Sequence, residues 1–507
     1  MFEAVNWELG VPAEERRGFL RRLERGNVPA PPLAPADEET LAGGSFYRLH
    51  RLTVRVSVQA LFLYLLAVLL YTYNVDDQPS YPHFFEENTI TRELRPGLTP
   101  REALHRPPRE AYAIFREWGN GDVDHVGFSF PWVLAVDVSR RLFGENAFGH
   151  RLPSALVSAL SPVMLLLMIR RFFRWDVAFL AALFLATSPF QLTFARNGGY
   201  VGATLALLLA LFYTALRVSI DDSRRAWLPL TLLLALVPYF YAPIRYLSFL
   251  TVPPILYAMA HSKAFRRRHL PCLAASLAVL ALTCFPNLQA KNVWAKSWGR
   301  SLRHAVTVYF SGSGEHFFSI TAGAGVLFPE RPSDVNYTDP HHVFRKLLVL
   351  RLNQWWDVYF DGAATLPRVD WQARYGISRT WPPSLAWLEA LGLVYCLWLG
   401  LRRRQPPSAK HWTPPPPRRR YLLPVVWSIL TWLPLLVTNQ VNGNRTMLGL
   451  PADIFFMSLG FVILVELLRS VVRFRLKPKP TFRYVCYTGL VVVLVWARVR
   501  YYFSALP

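Results

Sequence analysis

RLPSALVSALSPVMLLLMIRRFFRWDVAFLAALFLATSPFQLTFARNGGYVGATLALLLALFYTALRV, residues 151–218, is the stretch whose reading decides the fold. It holds apolar runs at 152–169, 176–191 and 200–217. A helix rises about 1.5 Å per residue, so runs of this length approach the roughly 30 Å hydrocarbon layer of a bilayer. Arg170-Arg171-Phe172-Phe173-Arg174 separates the first two runs, whereas the connector between the second and third carries only Arg196. Arginine-rich and arginine-poor connectors thus alternate, the pattern of a chain that crosses a membrane repeatedly.

Working outward, the same rhythm places further spans at 54–72, 227–241, 244–260, 270–286, 384–400, 421–437, 451–469 and 484–500. The prediction is an all-α polytopic membrane protein with about eleven transmembrane helices. Its parts are a cytoplasmic N-terminal segment (1–53), a transmembrane module (54–286) containing a first outer loop (73–150), a long extracytoplasmic loop (287–383) and C-terminal transmembrane helices (384–507). The basic connectors are 170–174, 221–225, 263–268, 402–420 and 469–483, and all fall on one side. The positive-inside rule makes that side the cytoplasm, so the N-terminus faces in and both long loops face out of a plasma (inner) membrane. Pro131 to Phe143 is too polar for a span and reads as an amphipathic helix at the outer surface. The run Pro414 to Pro417 reads as a stiff linker.

Composition agrees with this placement. Of 507 residues, 52% are hydrophobic and 14% aromatic, more apolar than an ordinary soluble domain. A net charge of +23 in a soluble chain would point to nucleic acid, but the cytoplasmic connectors account for it and no nucleic-acid partner is expected. The four cysteines have no CxxC spacing and read as buried thiols. About 50 polar, proline-containing residues precede the first span, so a cleavable signal peptide is not expected. No P-loop or dinucleotide fingerprint is present, and Glu315-His316 and His341-His342 lack further ligands at metal-binding spacing.

With that topology, ionisable residues gather at the outer helix ends. Asp76-Asp77 follows the first span, and Glu86-Glu87 follows the apolar stretch Pro82-His83-Phe84-Phe85. A carboxylate in a partly dry cleft can act as a general base. Three isolated arginines, Arg196, Arg245 and Arg445, lie on the side otherwise poor in cationic connectors. Guanidinium groups pair with phosphate through a fixed fork of donors. The set predicts an outward-facing membrane cavity for a phosphorylated amphiphile, surrounded by membrane lipids.

The segment from Gly127 to Ala203 also carries a resemblance. FSFPWVLAVDVSRRLFGENAFGHRLPSALVSAL, with Arg151-Leu152-Pro153-Ser154, and ATSPFQLTFARNGGY, with its Ser-Pro turn and Arg196, resemble the bacterial branch of the GT-C fold membrane glycosyltransferases. This is the superfamily of protein O-mannosyltransferases and aminoarabinose transferases (glycosyltransferase family 39-like). The stretch around Arg245 and Asn444-Arg445 is similar too, though less closely. The resemblance implies a GT-C fold with amphipathic helices in the outer loops and a polyprenyl-phosphate sugar donor used on the extracytoplasmic face. It also implies an essential acid in the first outer loop, in an Asp-Glu pair. Glu86-Glu87 takes that place here, with Glu86 where the family has aspartate; Asp76 and Asp77 are the alternative acids.

The expected reaction is an inverting glycosyl transfer in which Glu86 deprotonates an acceptor and Arg196, Arg245 and Arg445 bind the donor phosphate. A paired phosphate leaves readily, so no cofactor is expected. The acceptor, whether lipid, glycan or protein, is not readable. Two rival readings use the same cationic cavity: a transporter or flippase of a lipid-linked solute, and a non-catalytic envelope assembly protein.

Overall fold

The computed structural model describes residues 56–76, 130–173, 175–240, 244, 247–289, 383–401, 419–436, 448–476, 488–489, 491–497, 499–500 and 503. All regular structure among them is helical, with no strand.

The first helix, α1 (Val56–Thr72), is apolar along its length. It leaves Val58, Leu61, Phe62, Leu65 and Leu69 exposed and buries Leu63, Ala67 and Tyr71, the division expected of a helix at the lipid boundary. The expected surface helix is α2 (Phe130–Phe143), which buries Trp132, Val133 and Val136 and ends on Arg140 and Arg141.

Next come α3 (Ala147–Ser158) and α4 (Leu160–Ile169), which together form one membrane-length segment. Asn146 starts it: the Asn146 side-chain oxygen accepts from the Gly149 amide at 2.8 Å, satisfying a donor that the first helical turn leaves unpaired. The span expected at 152–169 therefore begins one turn and a half earlier, because Asn146 is the better start signal.

The run expected at 176–191 is a bent pair, α5 (Trp175–Ala186) and α6 (Pro189–Arg196), with 51° between them. Pro189 lacks an amide hydrogen and its fixed φ suits the start of a new helix, so the Ser-Pro step ends one helix and opens the next. Gly198, at φ +67°, turns the chain into α7 (Tyr200–Ser219).

The spans expected at 227–241 and 244–260 are shorter as α-helix than the hydropathy pattern indicates. The first is α8 (Trp227–Leu236), closed by a 3₁₀ turn at Val237–Tyr239 that contains Pro238. The second is α9 (Val252–His261), whose Pro253-Pro254 fits only the first turn of a helix. The span at 270–286 is the latter part of a longer helix, α10 (Lys263–Gln289), because the basic residues 263–268 are good helix formers and continue it.

The later described helices are α11 (Pro383–Leu401), α12 (Leu422–Leu436) and α13 (Leu450–Leu476). The α11–α13 pair crosses with backbones nearly touching: a Cβ on Gly392 would lie 1.9 Å from the Phe456 carbonyl oxygen, and one on Gly460 1.9 Å from that of Leu388. Close approach at small residues is how helices associate where lipid removes the hydrophobic drive between them.

Ala147–Ile169, Tyr200–Ser219 and Leu450–Leu467 are each long and apolar enough to cross a membrane, and the bent pair makes a fourth if taken as one span. The chain is an integral membrane protein on this ground. The other expected spans are shorter apolar helices or lie partly outside the described residues.

Candidate functional site

The end of α1 is where two of the candidate site residues, Arg196 and Asp76, come together. Helix α1 presents its last carbonyls, which carry the negative end of the helix dipole and have no partner within the helix. Arg196, the last residue of α6 and fully buried, fills that role. Arg196 Nη1 donates to the carbonyls of Leu70 (3.0 Å) and Tyr73, and Nη2 donates to that of Asn74 (3.1 Å). Asn74 sits at φ +48°, the left-handed conformation that ends helices and that asparagine tolerates better than most side chains.

The chain is held for two residues more. Arg151, only 3% exposed, donates from Nη1 to the Val75 carbonyl at 2.6 Å. The Asp76 carboxylate accepts from the Phe148 amide at 2.7 Å, placing a negative charge at the N-terminal end of α3. Two buried arginines and a helix N-terminus thus fix residues 70–76, where the chain leaves α1.

Supporting contacts hold the arginines in turn. Ser154 Oγ lies 2.9 Å from the Gly199 carbonyl and 3.2 Å from that of Phe194, tying α3 to the turn after α6. Trp132 Nε1 donates to the Gly198 carbonyl at 3.3 Å. A Cβ on Gly202 would meet Ser158 Oγ at 2.4 Å, so α7 approaches α3 as closely as a glycine permits. Phe503 lies over the Arg196 guanidinium, 5.3 Å from Cζ to ring centroid, and meets Tyr73 edge-on with centroids 5.5 Å apart. His150, 2% exposed, has neither ring nitrogen hydrogen-bonded among the described residues.

The opposite end of the bundle carries the described basic residues of 170–173, 221–225 and 263–268. Arg171 forms a two-point ion pair with Asp221, one bond at 2.8 Å. Partial burial pulls the Arg171 guanidinium down, but the paired Asp221 outweighs this and leaves its pKa above the ordinary value. Asp222 pairs with Arg268 and accepts from His269 Nε2 at 2.6 Å, while His269 Nδ1 accepts from Trp227 Nε1 at 2.7 Å. Residues 73–76, 148–151, 196 and 503 therefore lie at one end of the bundle and 171, 221–222 and 268–269 at the other. The charge alternation groups 170–174, 221–225 and 263–268 in the same way, but not 469–483: α13 runs parallel to α5, with Phe455 beside Phe173 and Phe461 beside Phe184, so its later part leads away from this end.

Of the predicted site residues, Arg196 and Asp76 are brought to the same short segment, each already holding backbone groups. Asp77, Glu86, Glu87, Arg245 and Arg445, like Glu315, His316, His341 and His342, lie outside the described residues. Arg151 was legible only as part of a motif. An arginine immediately before an apolar run, already within the helix that carries it, is the signal that marks it as more. Phe503, 307 positions from Arg196 (503 less 196), has no such signal.

The fold and this end of the bundle define a helical integral membrane protein whose first described helix ends in an arginine-held turn. Residues 125–289, which contain both Arg151 and Arg196, match the family model for dolichyl-phosphate-mannose-protein mannosyltransferase. No curated protein matches the chain. Among solved structures, the apo oligosaccharyltransferase of Archaeoglobus fulgidus is similar at 13% identity and a TM-score of 0.44, with 88% of this chain and 56% of that chain covered. The oligosaccharyltransferase AglB of Archaeoglobus fulgidus, in complex with an inhibitory peptide and a dolichol-phosphate, is similar at 14% identity and a TM-score of 0.42, over 88% of this chain and 56% of that one. The chain spans a little over half the length of these proteins.

Proposed function

We propose that the chain is a polyprenyl-phosphate-sugar-dependent glycosyltransferase of the GT-C type, transferring a sugar with inversion to an acceptor on the extracytoplasmic face of the plasma membrane. One observation carries the reading. The segment that matches the mannosyltransferase family model supplies both arginines that fix the start of the acid-bearing first outer loop.

In this reading a carboxylate of that loop, Glu86 with Glu87 beside it, takes the proton from an acceptor hydroxyl or amine. The freed lone pair attacks the anomeric carbon from the face opposite the phosphate. The bond from that carbon to the phosphate oxygen breaks, and polyprenyl phosphate leaves with the electron pair. Arg245 and Arg445 contact the phosphate and stabilise the charge that grows on it. Arg196 adds its charge at the end of α1. Its terminal nitrogens hold the carbonyls of Leu70, Tyr73 and Asn74, so its part is to set the loop's departure, and direct phosphate contact would require release of some of these bonds. Asp76 is engaged with the Phe148 amide, which favours Glu86 over Asp76 as the base. The lipid tail lies against the apolar helices, where each buried CH₂ contributes about 0.8 kcal/mol.

The test is Glu86→Gln in purified protein supplied with a polyprenyl-phosphate sugar. Transfer is expected to be lost while donor binding stays within about twofold of the parent; full activity in the variant would remove Glu86 from the role.

A further inference from the structure

The end of the bundle opposite the arginine-held turn has charge left over. Among the described residues, Asp221 is engaged there by Arg171 and Arg217 and Asp222 by Arg268 and His269, while Asp176 and Asp453, in the first turns of α5 and α13, are buried. Lys263, Arg266 and Arg267 are exposed and share one face of α10 by their i, i+3, i+4 spacing, while Arg268 turns toward Asp222. The turn bearing Arg224 and exposed Arg225 is bound beside them, because Arg224 Nε donates to the Arg268 carbonyl at 3.2 Å. None of Arg225, Lys263, Arg266 and Arg267 meets a carboxylate among the described residues. Apolar side chains flank the same end: Trp175, Leu228 and Leu270 are more than half exposed at the starts of the helices that run into the membrane. Exposed cations next to exposed apolar and aromatic groups match a membrane surface carrying negative headgroups.

We infer that this face docks the headgroups of anionic phospholipids through Arg225, Lys263, Arg266 and Arg267. The two engaged aspartates serve the docking by fixing the 221–225 turn against α10, so that four cations from two connectors present one surface. The inference does not depend on the transferase reading, since it concerns the other end of the molecule.

The test uses the full chain purified in detergent, titrated separately with phosphatidylglycerol and phosphatidylcholine, with retained lipid counted by native mass spectrometry. Phosphatidylglycerol is expected to be retained at least about tenfold more tightly, and each of Arg225→Gln, Arg266→Gln and Arg267→Gln is expected to weaken it about fivefold. The triple lysine variant R225K/R266K/R267K keeps the preference, which ties the effect to charge rather than to folding. Equal retention of both lipids by the parent protein would overturn the inference, as would an unchanged preference in R225Q/R266Q/R267Q. Displacement of the lipid by inorganic phosphate beyond that caused by chloride at equal ionic strength would also overturn it.

Discussion

Phe503 covers the guanidinium of Arg196, its ring centroid 5.3 Å from Cζ. One residue comes from beyond the last expected span and the other from the end of α6, and both meet Tyr73 at the exit of α1. The contact closes this end of the bundle around the turn that follows α1. A desolvated cation over an aromatic face contributes about 1–2 kcal/mol. Phe503→Ala is therefore expected to lower the unfolding midpoint of the detergent-solubilised protein by a few degrees and to speed hydrogen exchange of the 73–75 amides, while Phe503→Trp leaves both near the parent. Unchanged exchange in Phe503→Ala would show that the ring does not secure the turn.

Arg196 should matter more than any single contact it makes. Replacing it with methionine leaves the carbonyls of Leu70, Tyr73 and Asn74 without their donor in a site closed to water. Hydrogen bonds from a charged group are worth about 1.5–3 kcal/mol each, so Arg196→Met is expected to cost at least about 3 kcal/mol. Lysine should recover less than half, because an ammonium cannot reproduce the planar fork that reaches three carbonyls. Chemical unfolding in a fixed detergent measures the order, and a lysine variant as stable as the parent would contradict the geometry.

Asp76 and Glu86 separate by different readouts. Asp76→Asn removes a charge at the N-terminus of α3 and is expected to cost about 0.5–1 kcal/mol of stability with transfer largely kept. Loss of transfer in D76N with no loss of stability would move the base from the glutamate pair to Asp76.

How much of this was open to inspection in the chain itself depended on range. Apolar runs and the basic connectors between them are local, and they located α1, α3–α4, α7, α11, α12 and α13 to within a few residues at most ends. The Ser188-Pro189 step is also local, and it marks the 51° bend. Hydropathy failed where proline and charge redraw helix ends: Pro238 and Pro253-Pro254 shorten α8 and α9, whereas residues 263–268 lengthen α10 without breaking it. Of the candidate site, Arg196 and Asp76 were legible as residues but not in what they hold. An arginine at the outer end of a span reads equally as a ligand for phosphate or a partner for carbonyls. The choice rests on residues more than 120 positions away in the chain, at the end of α1.

The crossing of α11 and α13 gives a prediction about the scaffold alone. A methyl group at Gly392 or Gly460 would meet a carbonyl oxygen of the facing helix at 1.9 Å, far inside contact distance. Overpacking of this kind costs about 1–3 kcal/mol, so Gly392→Ala and Gly460→Ala should each lower the unfolding midpoint, and the pair should cost less than the sum because one separation of the helices relieves both. Full additivity in the double variant would show that the two glycines do not share a crossing.

The central claim, that the chain moves a sugar from a polyprenyl-phosphate donor, is tested most directly by incubating the purified protein in lipid nanodiscs with radiolabelled polyprenyl-phosphate sugars. Release of polyprenyl phosphate is followed with time. Sugar-dependent release is expected, abolished in Glu86→Gln while the variant still binds donor. Intact donor after prolonged incubation, together with protein-dependent passage of that donor across a sealed bilayer, would contradict it and make the chain a carrier of the lipid rather than a transferase.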